Sequence, residues 1–394
     1  MEIRSTTEHD RDAFVDTLFA AFGRFPPEGD RVWSALEMDR ALFAVVDGRP
    51  VGTAAVYSFE LTLPGNVPVP AGGLTAVGVL PSHRRRGVLT AMMRHQLADA
   101  RARGEFLAVL LASEAVIYRR FGYGPATTTH RLTVDRHRAA PRSTAVAAEG
   151  SIEVLRRAEC GDLLEDAYDR YRRTQPGALS RPRHWWARGA GQPPVSAAPR
   201  YVAVHRDSGG RADGYATYLL DSGTLTVDET IAADDAVTTA LTRFLLDHDL
   251  VTRVVLKKCP PEHPLRWQLA DFRAAEVSDE TDWLWVRLLD VPRALTARGW
   301  STDGELVLDV EDSFLGERGR YLLTVRDGKA ECYPTGRAPD LSLDATDLGS
   351  VYLGGVAPST LVRGGQIHAH HPDAAALADA LFRAERPPHC LHWF

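Results

Sequence analysis

The segment LTAVGVLPSHRRRGVLTAMMRHQLADARARG, Leu74 to Gly104, constrains this chain more than any other. Leu74 to Leu80 is apolar and β-branched enough for a buried strand, and Pro81-Ser82 breaks it. Beyond Gly87, apolar residues fall at Leu89, Met92, Met93 and Leu97, a helical stripe that stops at Gly104. Arg84, Arg85 and Arg86 therefore stand where a helix begins. That end of a helix carries partial positive charge, so cations there cost a few tenths of a kcal/mol or more. Something anionic is expected to offset them. The competing reading is a solvated basic run on a surface helix, and the placement at the unfavourable end of the dipole favours the anion site.

The surrounding order of elements is that of an α/β sheet covered by helices. A short strand, MEIRS, precedes helical stretches around DRDAFVDTLFAAFG and DRVWSALEM. A hairpin follows in ALFAVVDGRPVGTAAVYSFELTL, turning at Asp47-Gly48. After Gly104 come a strand FLAVLLAS, a short helix EAVIYRRFG and a last strand TTTHRLTVD. These make a first domain of residues 1–135. Residues 136–150, poor in large apolar side chains, read as a linker.

Residues 151–290 repeat the order more faintly. Helix DLLEDAYDRYRR, strands RYVAVHR, GYATYLL and TLTVDETIA, helix DAVTTALTRFLLDHD, strand TRVVLKK, short helix PLRWQLAD and strand TDWLWVRLL follow one another. Here the strand-to-helix junction carries Asp234 and Asp235 in place of arginine and glycine. Aspartates suit a plain helix start and repel an anion, so this unit reads as a copy without the anion site. From residue 291 to 394 the pattern changes to a helix, hairpin-like strands and further helices, a separate α+β domain.

At 394 residues the chain is too long for one ordinary core. A net charge of −6 argues against broad nucleic-acid or membrane attraction and makes the arginines a local feature. No stretch reaches the apolar length of a membrane span, the start is too charged for a signal peptide, and four widely spaced cysteines suggest reduced thiols. A cytoplasmic protein is expected. The His368, His370 and His371 run and the His389-Cys390-His392 tail lack a matching partner cluster, so no metal is expected.

A strand-to-helix loop whose N–H groups point outward cradles a phosphate or pyrophosphate. Neither Walker-type spacing nor the dinucleotide glycine pattern is present. VGVLPSHRRRGVLTAMM resembles the coenzyme A pyrophosphate loop of the GNAT superfamily of N-acetyltransferases. LLASEAVIYRRFGYGPAT resembles more narrowly the enhanced intracellular survival (Eis) branch, whose members acetylate amines from acetyl-CoA. With DLGSVYLGG and the aromatic C-terminus, the resemblance covers the whole chain. It implies two tandem GNAT-type mixed-sheet domains, the second degenerate, followed by a sterol-carrier-protein-like α+β domain. It also implies a homohexamer built as a dimer of trimers.

Residue by residue, the resemblance puts Val77, Gly78 and Val79 on the pantetheine arm of acetyl-CoA, with the Val79 N–H as oxyanion donor. Arg85, Arg86, Gly87, Val88, Leu89 and Thr90 match the pyrophosphate loop, although Leu89 stands where the superfamily commonly has a small residue. Ser113 and Glu114 match a further coenzyme contact. Tyr118 matches the general acid that protonates the coenzyme A sulfur; the residues alone leave Tyr118 and Tyr123 equivalent. The base implied is the chain's terminal carboxylate on Phe394, against the default of a frayed tail. HCLHWF is aromatic enough to dock.

The expected activity is acetyl transfer to a primary amine of a small molecule, aminoglycosides and hence antibiotic resistance included. Acetylation of a protein or peptide lysine is the alternative within the fold, and a lipid or ligand carrier or sensor the alternative outside catalysis. Aminoglycoside-acetylating relatives line the acceptor pocket with carboxylates, whereas Arg24 and Trp393 stand at two of those positions. Glu28, Asp30 and Glu37 are the acids available to compensate.

Overall fold

The computed structural model describes residues 1–26, 35–142, 144–186 and 200–394. Most of the helix expected at DRVWSALEM, together with Glu28 and Asp30, lies outside them. Two compact bodies emerge. One holds Met1–Ala126, Leu284–Glu385 and Phe394; the other holds Thr127–Trp283 and Arg386–Trp393.

In the first body the chain runs through β1 (Glu2–Ser5), α1 (Arg11–Ala21), β2 (Ala41–Val46), β3 (Arg49–Leu63), β4 (Val67–Val79), α2 (Val88–Ala102), β5 (Leu107–Leu111), α3 (Ala115–Arg119) and β6 (Gly124–Pro125). In the second it forms β7 (Thr128–Asp135), β8 (Ser151–Arg156), α4 (Leu163–Arg172), α5 (Arg183–Trp186), β9 (Tyr201–Arg206), β10 (Ala212–Asp221), β11 (Thr224–Ala232), α6 (Asp235–Leu246), β12 (Arg253–Cys259), α7 (Leu265–Gln268) and β13 (Ala275–Asp282). Returning to the first body, it forms β14 (Leu284–Leu288), α8 (Val291–Ala297), β15 (Gly304–Asp312), β16 (Glu317–Arg326), β17 (Lys329–Pro334), β18 (Leu341–Asp344), α9 (Ala345–Val351), α10 (Pro358–Arg363), β19 (His368–Ala369) and α11 (Ala374–Phe382). None of the described helices is long and apolar enough to cross a membrane.

Three mixed sheets result, in the orders β1-β2-β3-β4-β5-β14-β6, β13-β7-β12-β11-β10-β9-β8 and β17-β16-β15-β18-β19. The Asp47-Gly48 hairpin forms as expected, both residues having the positive φ that a tight two-residue turn requires. Two strand assignments change. Thr128–Asp135, expected to close the first sheet, lies in the second between β12 and β13. The segment TDWLWVRLL, expected as one strand of the second sheet, divides. Asp282 ends β13, and Leu284–Leu288 enters the first sheet between β5 and β6. Periodicity identifies a strand but not the edge it joins, and only the pairing decides.

Strand β4 is also longer than its sequence suggests, because Pro68, Pro70 and two glycines read as breakers. The prolines fall at alternate positions before β4 first pairs with β5 at Gly72, where a missing N–H costs no ladder bond. In the first sheet, α1 and α2 cover opposite faces. A Cβ on Gly78 would approach Ala21 and Leu18 of α1, while one on Gly52, paired with the next residue Val79, would approach Met92 of α2. Met92, Met93 and Leu97 are fully buried in the core beneath α2, as the stripe predicts.

Candidate active site

The site begins with an irregularity in β4. Ala55 pairs with Thr75 and Thr53 with Gly78, so Ala76 and Val77 together oppose one residue of β3. Ala76 has φ of 51°, and its carbonyl accepts the Thr53 hydroxyl at 2.9 Å. A bulge of this kind bends a strand and raises its twist. On the other side of β4, parallel pairing with β5 runs through Gly72, Gly73 and Leu74 and stops at Leu110. The strands thus part where the bulge begins. Beyond it, the Leu80 N–H points at β3, donating to Val51 O at 2.9 Å. Alternation therefore turns the Val79 N–H toward the side that β5 has left, while Val77 lies in the bulge, where alternation is interrupted. That is the geometry a pantetheine amide and a developing oxyanion require.

The loop after β4 turns on two left-handed residues, Arg85 at φ 59° and Gly87 at φ 77°. Gly87 caps α2 with no side-chain hydrogen bond, and the first turn holds no acidic residue. The first intrahelical acceptor bond shown at this end is Ala91 N–H to Gly87 O, leaving the N–H groups of Val88, Leu89 and Thr90 without intrahelical partners. Val88 is buried, so any coenzyme contact from it comes through the backbone. Arg85 and Arg86 are exposed and have no hydrogen bond or ion pair among the described residues.

Arg84 is different from its neighbours. Its Nη2 donates to Ala21 O at 2.7 Å and its Nε to Val79 O at 3.3 Å. Ala21 ends α1, so this guanidinium satisfies a carbonyl at the negative pole of that helix. Of the three arginines at this helix start, Arg84 is thus engaged with the end of α1, whereas Arg85 and Arg86 are not.

Across the opening, β5 runs into exposed Ser113 and Glu114 and then α3. Tyr118 is 7% exposed and Tyr123 1%, with ring centroids 6.5 Å apart. Both belong to the core against which Val77, Val79 and Leu89 pack. Burial raises the Tyr118 phenol above its ordinary range, and a hydrogen bond with the Ser113 side chain acts in the opposite direction. A phenol so placed keeps its proton at neutral pH.

The C-terminus is docked rather than frayed. His389, Cys390, Leu391 and His392 are buried in the second body, where the Lys258 ammonium donates to Leu391 O at 2.8 Å and the Trp283 indole to His392 O at 2.7 Å. Phe394 belongs to the first body, its ring 5.0 Å from that of Phe59 and against Gly73, one pair before β4 and β5 part. Phe59 and Gly73 were not singled out in the sequence, and neither carries a local signal of this contact.

Of the residues expected at the acceptor side, Arg24 is exposed just beyond α1. Glu37 is committed: its carboxylate accepts the Ser58 N–H at 2.7 Å and the Ser58 hydroxyl at 2.6 Å.

The second body supplies an internal contrast. Its junction between β11 and α6 is closed by Asp234, whose carboxylate accepts the Val237 N–H at 2.9 Å. Past Val227, where β11 leaves β12, Asp228 binds Lys257 and Arg200, and Glu229 pairs with Arg181 at 2.6 Å with both side chains 1% exposed. The positions that correspond to Val77 and Gly78 are here engaged by the protein's own ion pairs.

Comparison with known proteins agrees with this layout. Residues 2–126 and 177–288 match two acetyltransferase (GNAT) domain families, and residues 291–391 match the sterol carrier protein domain family. The chain is 36% identical over 412 residues to an uncharacterised N-acetyltransferase of Streptomyces avermitilis, covering 100% of this chain and 99% of that one. It is 36% identical over 408 residues to the N-acetyltransferase Eis of Mycobacterium tuberculosis, with 97% of each covered. Among solved structures, Eis1 from Mycobacterium abscessus superposes with a TM-score of 0.89 at 35% identity over 100% of both chains.

Proposed function

Because the chain belongs to the Eis-like GNAT N-acetyltransferases, which are acetyl-CoA-dependent acyltransferases, we propose that it acetylates a primary amine of a small molecule by direct attack. Arg85, Arg86 and the N–H groups of Gly87, Val88, Leu89 and Thr90 hold the coenzyme A pyrophosphate. Val77, Gly78 and Val79 take the pantetheine arm, and Ser113 and Glu114 contact the coenzyme from the other side. The Phe394 carboxylate accepts a proton from the substrate ammonium, freeing the nitrogen lone pair. That nitrogen attacks the thioester carbonyl, whose oxygen charge is met by the Val79 N–H. As the C–S bond breaks, Tyr118 gives its proton to the sulfur. The second proton, shed by the attacking nitrogen as it becomes an amide, restores the Tyr118 phenol, and the proton on the Phe394 carboxyl passes to solvent. The amide and free coenzyme A thiol leave.

The observation that carries this reading is the joint geometry of one opening. A strand end turns the Val79 N–H to the gap beside an uncapped helix start, with two arginines there that have no partner among the described residues, while the second body's equivalent is plugged by Asp234. A pure carrier has no use for such a gap.

The acceptor is a small amine; among the described residues of the expected acceptor side, Arg24 is exposed and Glu37 is already bound to Ser58. Polycationic aminoglycosides are therefore acceptors of lower kcat/KM than monoamines. Coenzyme A release measured with a thiol-reactive dye across monoamines, aminoglycosides and lysine peptides tests both points. Turnover of lysine peptides alone would replace the small-molecule reading, and no turnover with any amine would favour the carrier. Assembly as a dimer of trimers belongs to the same proposal, and a stable monomer in sedimentation would remove it.

A further inference from the structure

Helix α3, which carries Tyr118, spans five residues. A helix that short has no stability of its own, and its last carbonyls lack intrahelical partners. The following turn meets two of them, the Phe121 and Tyr123 N–H groups donating to Tyr118 O and the Gly122 N–H to Arg119 O at 2.9 Å, and the C-terminal layer of the same body adds further partners. The Thr346 hydroxyl donates to the Arg119 carbonyl at 3.0 Å. The Arg119 guanidinium donates to Gln366 Oε1 at 2.7 Å and to Asp347 Oδ1 at 3.3 Å. Two residues on, the Phe121 carbonyl accepts from the fully buried Arg287, which is paired with Asp312.

The contact surface is close-fitting backbone. All seven residues of α9 are buried, and its start is fixed by Asp344, which accepts the Thr346 N–H at 2.9 Å. A Cβ on Gly124 would overlap the Thr346 carbonyl and the Ser350 hydroxyl, and one on Gly349 would overlap the Val286 carbonyl. Small residues at 124 and 349 thus let α9 lie directly on β6 and β14. The DLGSVYLGG motif, which the acetyl-transfer chemistry leaves without a role, lies largely in this interface.

We propose that the sterol-carrier-like layer acts in this enzyme as a brace for the general acid, with Thr346, Arg119 and Gln366 as positioning residues that fix α3 and hence the Tyr118 hydroxyl. The proposal rests on the reading of Tyr118 as the acid. Displacing a reacting group by a fraction of an ångström costs catalysis without costing coenzyme binding.

The test is a double-mutant cycle in the full-length enzyme. Thr346→Val removes the hydroxyl at nearly constant volume, and Arg119→Met removes a half-exposed guanidinium. Each should lower kcat roughly 5- to 20-fold while the KM for acetyl-CoA stays within about twofold. Thr346→Ser and Arg119→Lys should recover part of the loss. In a Tyr118→Phe background, the same two substitutions should change kcat less than about twofold, because the group they position is gone. Wild-type kcat in Thr346→Val and Arg119→Met beside a crippled Tyr118→Phe would overturn the brace alone. Equal losses in both backgrounds would also overturn it, since the effect would not pass through Tyr118. Full activity of Tyr118→Phe would instead overturn the acid on which the proposal rests.

Discussion

The ring of Phe394 meets the ring of Phe59 edge-on, with centroids 5.0 Å apart. Edge-to-face contact is a favoured aromatic geometry, and it seats the last residue of the chain on β3 and β4, the second of which borders the opening. Gly73 makes room for it: a Cβ there would overlap the Phe59 ring and stand 3.1 Å from that of Phe394. Gly73→Ala should therefore destabilise the protein by about 1–3 kcal/mol. It should also lower kcat more than it raises the KM for acetyl-CoA. Thermal unfolding and steady-state kinetics check the two halves separately, and an unchanged kcat would dissociate this seat from catalysis.

Extending the chain beyond Phe394 converts its carboxylate to an amide. If that carboxylate is the base, a short C-terminal extension should reduce kcat roughly 100-fold or more, with the KM for acetyl-CoA nearly constant. A C-terminally tagged enzyme with full turnover would show that another base operates.

The arginine pair makes a complementary prediction. Arg85→Ala with Arg86→Ala should raise the KM for acetyl-CoA roughly 10- to 100-fold, as two charge-assisted contacts are lost. Stability should hardly change, because neither side chain has a partner among the described residues. Arg84→Ala should behave in the opposite way. It strips the Ala21 carbonyl of its donor and should lower the melting temperature more than it affects coenzyme binding.

Calorimetry should find one acetyl-CoA site per chain. The second strand-to-helix junction is occupied by the Asp234 carboxylate, and its parted strands by the Asp228 and Glu229 ion pairs. Two sites of similar affinity would contradict this.

Acid should weaken the second body. Burial pushes His389 down to about 3 and His263 down to about 4, against about 6.5 for an unfolded imidazole. The unfolded chain therefore binds more protons throughout that interval. The stability of the neutral buried form is fully present above about pH 6.5 and is lost progressively as the pH falls toward 3. Among the described residues His389 Nε2 has no hydrogen-bond partner, so His389→Leu should flatten the fall without costing a bond at that atom. Melting temperatures between pH 8 and 4 measure both curves, and parallel curves would place the acid sensitivity elsewhere.

The sequence by itself determined whatever depends on neighbours along the chain. The stripe Leu89, Met92, Met93 and Leu97 set the buried face of α2, Gly87 marked its start, and Asp47-Gly48 fixed a hairpin. The arginine loop and the Asp234 junction could be told apart by charge alone, because helix-end electrostatics are local. What only the tertiary structure decided depends on partners far away in sequence. Arg84 meets Ala21 across 63 positions, and Thr346 meets Arg119 across 227. The transfer of Thr128–Asp135 to the second sheet and of Leu284–Leu288 to the first is of the same kind. A strand pattern reports which face is buried, whereas the choice of neighbour is a global competition among edges of similar hydrophobicity. That competition leaves no trace in any short window of residues.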